Sequence, residues 1–364
     1  MLMIYQRFFY LLQLGIGKHP QEIISLDERD WGELFDMAIK QSLIGVILEG
    51  AQRLSESEAN QKPPLPLLYE WIGHVERIRL HNRQMDQKSA MLTRIFNDWG
   101  YKSCVLKGQG ATRLYPQPEL RQSGDIDIWV EGGRDEIVKR LKSNCIGLSF
   151  VDYVNCHAGF FTDAEVEVHF RPTWFYNPFV NRKVQKWIEQ NKAVQMSNYD
   201  HEVGFSYPTI GFNLVFSLIH VYRHIFQEGI GLRQLTDYYF ILTHSTAEER
   251  SEAMATLKSF GIGKFVAAVM HIEQKVLDIE ESYMLCTPNE KDGSFLLDEI
   301  MRGANFGHFD DRNNFASSDN RWKHGYNNIR RNFRFLKSYP SEVIWMPIWK
   351  VWHYFWRMKK GYFD

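Results

Sequence analysis

The run Gly124-Asp125-Ile126-Asp127-Ile128-Trp129-Val130 restricts the folds open to this chain more than any other segment. Two carboxylates stand at i and i+2 in an otherwise apolar, β-prone stretch, and side chains two apart on a strand share a face. Asp125 and Asp127 therefore project together, while Ile126 and Ile128 point to the opposite side. Aspartate is depleted in strands, so a pair on one face beside two isoleucines calls for a reason. The plain alternative is a half-exposed strand whose polar face happens to be acidic. Carboxylates held this close repel unless positive charge lies between them, and a hard divalent cation such as Mg²⁺ suits oxygen ligands.

The neighbours of this strand favour the metal reading. Lys107-Gly108-Gln109-Gly110 stands seventeen residues earlier, where the strand-like run Ser103-Cys104-Val105-Leu106 meets a helix. Backbone N–H groups of Gly108, Gln109 and Gly110 at a helix N-terminus would suit phosphate oxygens. Lys107 and Arg121 are cations near the acid pair in sequence, and each could equally serve a surface salt bridge. A second alternating run, Glu165-Val166-Glu167-Val168-His169-Phe170, supplies further acids. By the period-two rule Glu165, Glu167 and His169 share one face, so the run leaves open which glutamate is used. His169 could orient a ligand or be a satisfied polar residue. His157 reads as structural.

The block from Val105 to Phe170 resembles the polymerase-beta-like nucleotidyltransferase superfamily, and within it a bacterial branch of uncharacterised nucleotidyltransferases. The resembling residues are Leu106-Lys107-Gly108, Leu114-Tyr115-Pro116, Arg121 with Asp125-Ile126-Asp127, and Glu167-Val168-His169-Phe170. The resemblance implies that Asp125 and Asp127 ligate two metals, with Glu167 as third ligand or as base for the attacking hydroxyl. It implies Mg²⁺, with Mn²⁺ as the alternative, and an NTP such as ATP held by Lys107 and the glycine turn. Such chemistry needs charge neutralisation and in-line positioning more than covalent help, and two metals about 3.5–4 Å apart can clamp attacking and leaving oxygens. The expected activity is transfer of an NMP to an acceptor hydroxyl with release of pyrophosphate. tRNA, a protein side chain and a small molecule are all open as acceptors. A non-catalytic nucleotide- or partner-binding regulatory module of antitoxin-like type is the rival reading. Two departures from the superfamily pattern stand out: Gly108-Gln109 replaces the common Gly-Ser pair, and the third acid is Glu.

The expected fold class is α/β (α+β), a small mixed-sheet core flanked by helical regions. The pattern divides into a helical region at 1–98, the core at 99–172, a second helical region at 173–305, and a loop with an aromatic and basic helix at 306–364. A chain of 364 residues suits two or three units sharing interfaces. Helical spacing runs through Trp31 to Ile47 with Asp30 as N-cap, and a long helix runs from about Leu67 to Asn97, ended by Gly100. Strands are expected at Phe150–Val154 and Ala158–Phe161, and helices at Asp135–Leu141, Phe212–Tyr222, Gln234–Leu242 and Ala253–Val276. Phe306 to Asn320 reads as a polar loop.

Net charge is −1, which excludes any global electrostatic case for nucleic acid. Cys104, Cys145, Cys156 and Cys286 show no CxxC spacing, so zinc is not indicated and a reducing cytoplasm is the expected setting. Residues 1–17 read as an amphipathic helix packed on the body rather than a signal peptide. With no run of 18 apolar residues, no membrane span is expected.

His220 and His224 lie at i, i+4, as do Arg233 and Asp237. Val221-Tyr222-Arg223 lacks the glutamate of a zinc hydrolase, so a structural or substrate-contact role fits these four better than a metal site. From Trp322 onward nine Lys/Arg stand against two acids, interleaved with Trp345, Trp349, Trp352 and Trp356. That composition suits a buried stripe, an RNA contact or a membrane surface, with core packing the leading expectation.

Overall fold

The computed structural model describes residues 2–20, 24–58, 60–304 and 329–362. The chain begins with four helices: α1 (Leu2–Gly15), α2 (Glu28–Lys40), α3 (Ile44–Ser57) and the long α4 (Leu65–Asp98). Helix α1 buries Phe8, Leu11 and Leu12 completely, as its amphipathic spacing predicts. Asp27, not the expected Asp30, caps α2: it accepts from the Asp30 backbone N–H while Asp30 returns a bond to the Asp27 N–H. Both residues are thus used in one reciprocal capping box.

The sheet follows as β1 (Ser103–Leu106), β2 (Ile126–Val130), β3 (Leu148–Ser149), β4 (Asn155–Ala158) and β5 (Val166–His169), in the order β1-β2-β5-β4-β3. Strands β2 and β5 are parallel, and every other pairing is antiparallel. A short α5 (Gly108–Thr112) leaves β1, and α6 (Arg134–Asn144) crosses from β2. The expected strand at Phe150–Val154 is instead an irregular connector, because Phe150 turns the chain at φ 49° and pairing resumes only at Asn155. The strand expected at Ala158–Phe161 ends at Ala158.

The two faces of the sheet differ in chemistry. Ile126, Ile128, Val166 and Val168 pack with Ile137 and Leu141 of α6 and with Leu92 and Phe96 of α4. The opposite face carries Asp127, Trp129, Glu167 and His169, and there the Trp129 ring stacks on Phe212, centroids 6.1 Å apart. Phe212 opens the helical body of α7 (Pro178–Ser197), α8 (Ile210–Gln227), α9 (Leu232–Thr243), α10 (Ala247–Ser259), α11 (Gly263–Leu277) and α12 (Glu290–Gly303), with a small hairpin, β6 (Tyr199–Asp200) and β7 (Phe205–Ser206), before α8. The helix expected over Ala253–Val276 is two helices, broken where Gly261 adopts φ 79°. One apolar core joins α1–α3, the sheet's Trp129 and this body. Among the described residues no helix is long and apolar enough to cross a membrane.

The chain ends in α13 (Pro340–Lys360). Its Trp349 stacks on Trp174 at 4.1 Å, and Arg134 lies over Trp356 at 4.6 Å, so these tryptophans pack into the body. The polar stretch Phe306–Asn320 and Trp322 lie outside the described residues. Glu342 fastens the start of α13: its carboxylate accepts from the backbone N–H of Tyr176 at 3.0 Å and of Asn177 at 3.5 Å. Burial raises its pKa from 4.5 to about 7, against the opposing effect of those two bonds and Arg223.

A raised carboxyl pKa makes its stabilising contribution fully below the unfolded value and loses it as pH rises through the folded one. Wild-type stability should therefore fall, relative to Glu342→Gln, between pH 4.5 and about 7, by roughly 3 kcal/mol at most. Urea midpoints measured across that window test this; parallel curves for the two proteins would disprove it.

Candidate active site

The site grows from the pairing of β2 with β5. Parallel register sets Asp127 beside Glu167 and Trp129 beside His169, and the antiparallel partner β4 adds His157 opposite Glu167 and Asn155 opposite His169. Cross-strand neighbours of this kind share a face. One carboxylate oxygen each from Asp127 and Glu167 and one ring nitrogen of His169 lie within 4.8 Å of one another. Asp125 stands one residue before β2 begins, half-buried beside them.

Two cations sit on Asp127. Lys107 Nζ approaches its Oδ1 at 2.7 Å, and His169 Nε2 donates to the same oxygen at 2.7 Å. His169 Nε2 is also 3.4 Å from Glu167 Oε2, and its Nδ1 faces the Arg171 carbonyl at 3.3 Å. Both ring nitrogens thus face acceptors, as an imidazolium requires. Burial works against that charge, but the bonds to Asp127 and Glu167 raise the His169 pKa to about 9. Lys107 is raised likewise, since Asp127, Asp125 and Glu167 outweigh its desolvation.

The acids respond in opposite directions. Asp125 is pushed up to about 6, first by the Asp127 charge and then by burial, and Lys107 only partly offsets this. Burial would raise Glu167 too, but the His169 hydrogen bond and charge, with Lys107 and His157, lower it to about 2. Asn155 Nδ2 donates to Glu167 Oε2, and His157 Nε2 is 3.6 Å from Oε1. Glu165 is exposed at the start of β5 and lies outside this cluster. The carboxylates of Asp127 and Glu167 are oxygen donors that a divalent cation accepts, and His169 Nε2 would join them only after giving up the proton it donates to Asp127. The raised proton affinity of Asp125 marks a place where added positive charge would be favourable.

The glycine turn is built to hold Lys107 in place. Lys107 itself takes φ 49° and Gly108 φ 21°, and a non-glycine residue held in that region needs support from its surroundings. Helix α5 lies tight on β1: a Cβ on Gly110 would stand 3.0 Å from Tyr207 Cβ and 3.1 Å from the Val105 carbonyl. Gln109 turns inward, buried. Its Nε2 donates to Asp86 at 2.5 Å, and its Oε1 accepts from the Ser123 hydroxyl at 2.8 Å. Asn82 of α4 completes this brace, with its Nδ2 donating to the carbonyls of Glu119 at 2.9 Å and Arg121 at 2.8 Å. Asn82 and Asp86 escaped the sequence reading because nothing in a charged amphipathic helix distinguishes them.

Arg121 and the α9 residues form a different unit. Arg121 Nε and Nη2 each donate at 2.7 Å to the two carboxylate oxygens of Asp237, and the Tyr115 hydroxyl donates to Asp237 Oδ1 at 2.7 Å. Arg233 Nη1 donates to the Gln122 carbonyl at 2.7 Å. These contacts tie the segment ahead of β2 to the helical body. Arg121 and Asp237 are committed to each other rather than to the metal cluster. His220 and His224 stack edge to face at 4.2 Å on α8. Burial and the Lys107 charge keep both neutral, with His224 lowered to about 3. Neither belongs to the cluster of Asp127, Glu167 and His169.

A family model described as an uncharacterised nucleotidyltransferase matches residues 27–278, more than half of the chain, and the chain belongs to that family. The solved structure of an antigenic nucleotidyltransferase-like protein from Paracoccidioides brasiliensis is similar at 12% identity and TM-score 0.34, over 57% of this chain and 95% of that one. A comparison with curated proteins finds no match.

Truncating one partner of a buried ion pair leaves the other charge uncompensated, at a cost of about 3–5 kcal/mol. Arg121→Ala should lower the urea midpoint accordingly, and the double variant Arg121→Met, Asp237→Leu should recover much of the loss. A single variant within about 0.5 kcal/mol of wild type would show that the pair does not hold the segment ahead of β2.

Proposed function

We propose that the protein is a divalent-metal-dependent nucleotidyltransferase that moves an NMP from an NTP to an acceptor hydroxyl. The observation that carries this reading is the cluster of Asp127, Glu167 and His169 in register on β2 and β5, with Lys107 bound to Asp127 at the mouth of the glycine turn. Family membership makes a nucleotidyltransferase the activity to expect. Asp125, Asp127 and Glu167 would hold Mg²⁺, or Mn²⁺ in its place. A bound divalent ion would neutralise the phosphate charge and lower the pKa of an attacking oxygen.

The chain's own groups have distinct tasks in this reading. The acceptor hydroxyl releases its proton to solvent as its oxygen forms a bond to the α-phosphorus, the α–β phosphoanhydride bond breaks, and pyrophosphate leaves with that electron pair. Lys107 leaves Asp127 to meet phosphate oxygens, helped by the backbone N–H groups of Gly108, Gln109 and Gly110. Gln109 acts there through its backbone, because its side chain is tied to Asp86 and Ser123. The hydrogen bond and charge of His169 hold Glu167 below its ordinary proton affinity, which suits a ligand better than a general base. His169 orients Asp127 and Glu167. The acceptor is a hydroxyl of tRNA, of a protein side chain or of a small molecule. NTP supply sets the reaction in the cytoplasm.

Incubation with Mg²⁺ or Mn²⁺ and each α-labelled NTP, with and without RNA and lysate, should give labelled product. Asp125→Asn, Asp127→Asn should abolish it, and Lys107→Met should reduce it by about 10²–10³-fold, the usual cost of removing one charge-stabilising donor. Turnover retained by the double aspartate variant would refute the metal assignment. Metal-dependent NTP binding without pyrophosphate release would instead favour the regulatory-module reading.

A further inference from the structure

Helix α13 presents an outward face lined with a regular row of large apolar side chains. Ile344, Ile348, Val351, Phe355 and Met358 recur at steps of four, three, four and three, which aligns them on one side of a helix. They are exposed by 56%, 52%, 60%, 58% and 54%. The inward side is already filled by Val343, Met346, Trp349 and Trp356, so the helix has two apolar sides and only one of them is covered. Exposed apolar surface this continuous on a folded protein marks an interaction site.

We propose that this face of α13 lies in the interfacial layer of an anionic lipid bilayer, with the helix axis in the membrane plane and Lys337 and Lys359 on lipid headgroups. Charge selects this occupant. Lys337 and Lys359 are exposed near the two ends of the helix, and the single acid of residues 329–362, Glu342, is buried. A second copy of the chain would bring lysine against lysine in either orientation of two α13 helices, whereas an acidic headgroup layer matches both ends. Side-chain type separates lipid from RNA. Single-stranded RNA is held by aromatic rings that receive bases; here Trp349 and Trp356 turn into the body, Phe355 is the one ring in the exposed stripe, and the exposed Trp352 and Tyr354 beside it are ring types that settle at headgroup level. Apolar groups on one face with lysines at its margin are the composition of an interfacial helix.

Flotation of the full chain with phosphatidylcholine vesicles, with and without phosphatidylglycerol, tests this. Binding is expected only with phosphatidylglycerol and should weaken with salt. Ile348→Asp, Phe355→Asp and, separately, Lys337→Glu, Lys359→Glu should each reduce partitioning about tenfold or more, with melting curves unchanged because all four residues are exposed. Equal partitioning of the variants and wild type would overturn the proposal. So would an absence of vesicle binding together with dimers or RNA complexes that the same substitutions dissolve. NTP turnover in solution is read separately, so failure here leaves the proposed reaction standing.

Discussion

The parallel register of β2 and β5 is the constraint on which the site depends, because it sets Asp127 directly beside Glu167. A buried and a half-buried carboxylate at that spacing would drive each other's proton affinity upward. The chain answers with two cations from different elements, Lys107 from the turn after β1 and His169 from the end of β5. The four charges nearly balance, and the unmatched Asp125 carries the strain as a raised pKa. A site organised this way resists folding errors of one residue, since a slip in register would move Asp127 and Glu167 to the apolar face against α4 and α6.

Support for this arrangement comes from far along the chain. Asn82 and Asp86 hold Gln109, Ser123 and the segment around Arg121 from beneath. Asp237 holds Arg121 from the helical body. The glycine turn and the strand with the acids are therefore fixed by helices on both sequence sides of the sheet. That explains why a small sheet of short strands sits inside so much helix. It also explains why the family match extends well beyond the chemistry-bearing block. Polar side chains that bind backbone carbonyls and one another in a buried layer specify geometry in a way apolar packing does not.

The departure from the common Gly-Ser pair has a structural meaning. A serine hydroxyl at position 109 would be too short to span to Asp86 and Ser123 together, whereas the glutamine amide donates to one and accepts from the other. Charge that a hydroxyl does not carry is available from Lys107, whose backbone is held in an uncommon conformation. In the proposed reaction, phosphate contact and structural bracing would thus be divided between residues 107 and 109, on either side of Gly108.

The sequence by itself determined the local chemistry. Period two put Asp127 with Trp129 on one face and the isoleucines on the other, and alternation on β5 put Glu167 with His169, because side-chain direction on a strand follows from covalent geometry alone. Capping and turn positions were legible only to within a few residues: Asp27 rather than Asp30 caps α2, and Gly261 breaks what read as one helix. Tertiary structure decided everything that joins distant segments. It chose Glu167 over Glu165 as the acid beside Asp127 through strand register, paired Arg121 with Asp237 across 116 positions, and drew Asn82 and Asp86 under the turn. It also sorted the apolar residues of α13 into a side packed on the body through Val343, Met346, Trp349 and Trp356 and an outward side that carries Ile344, Ile348, Val351, Phe355 and Met358. Spacing along a helix gives each residue an angle about the axis, but only the rest of the fold says which angle faces the core.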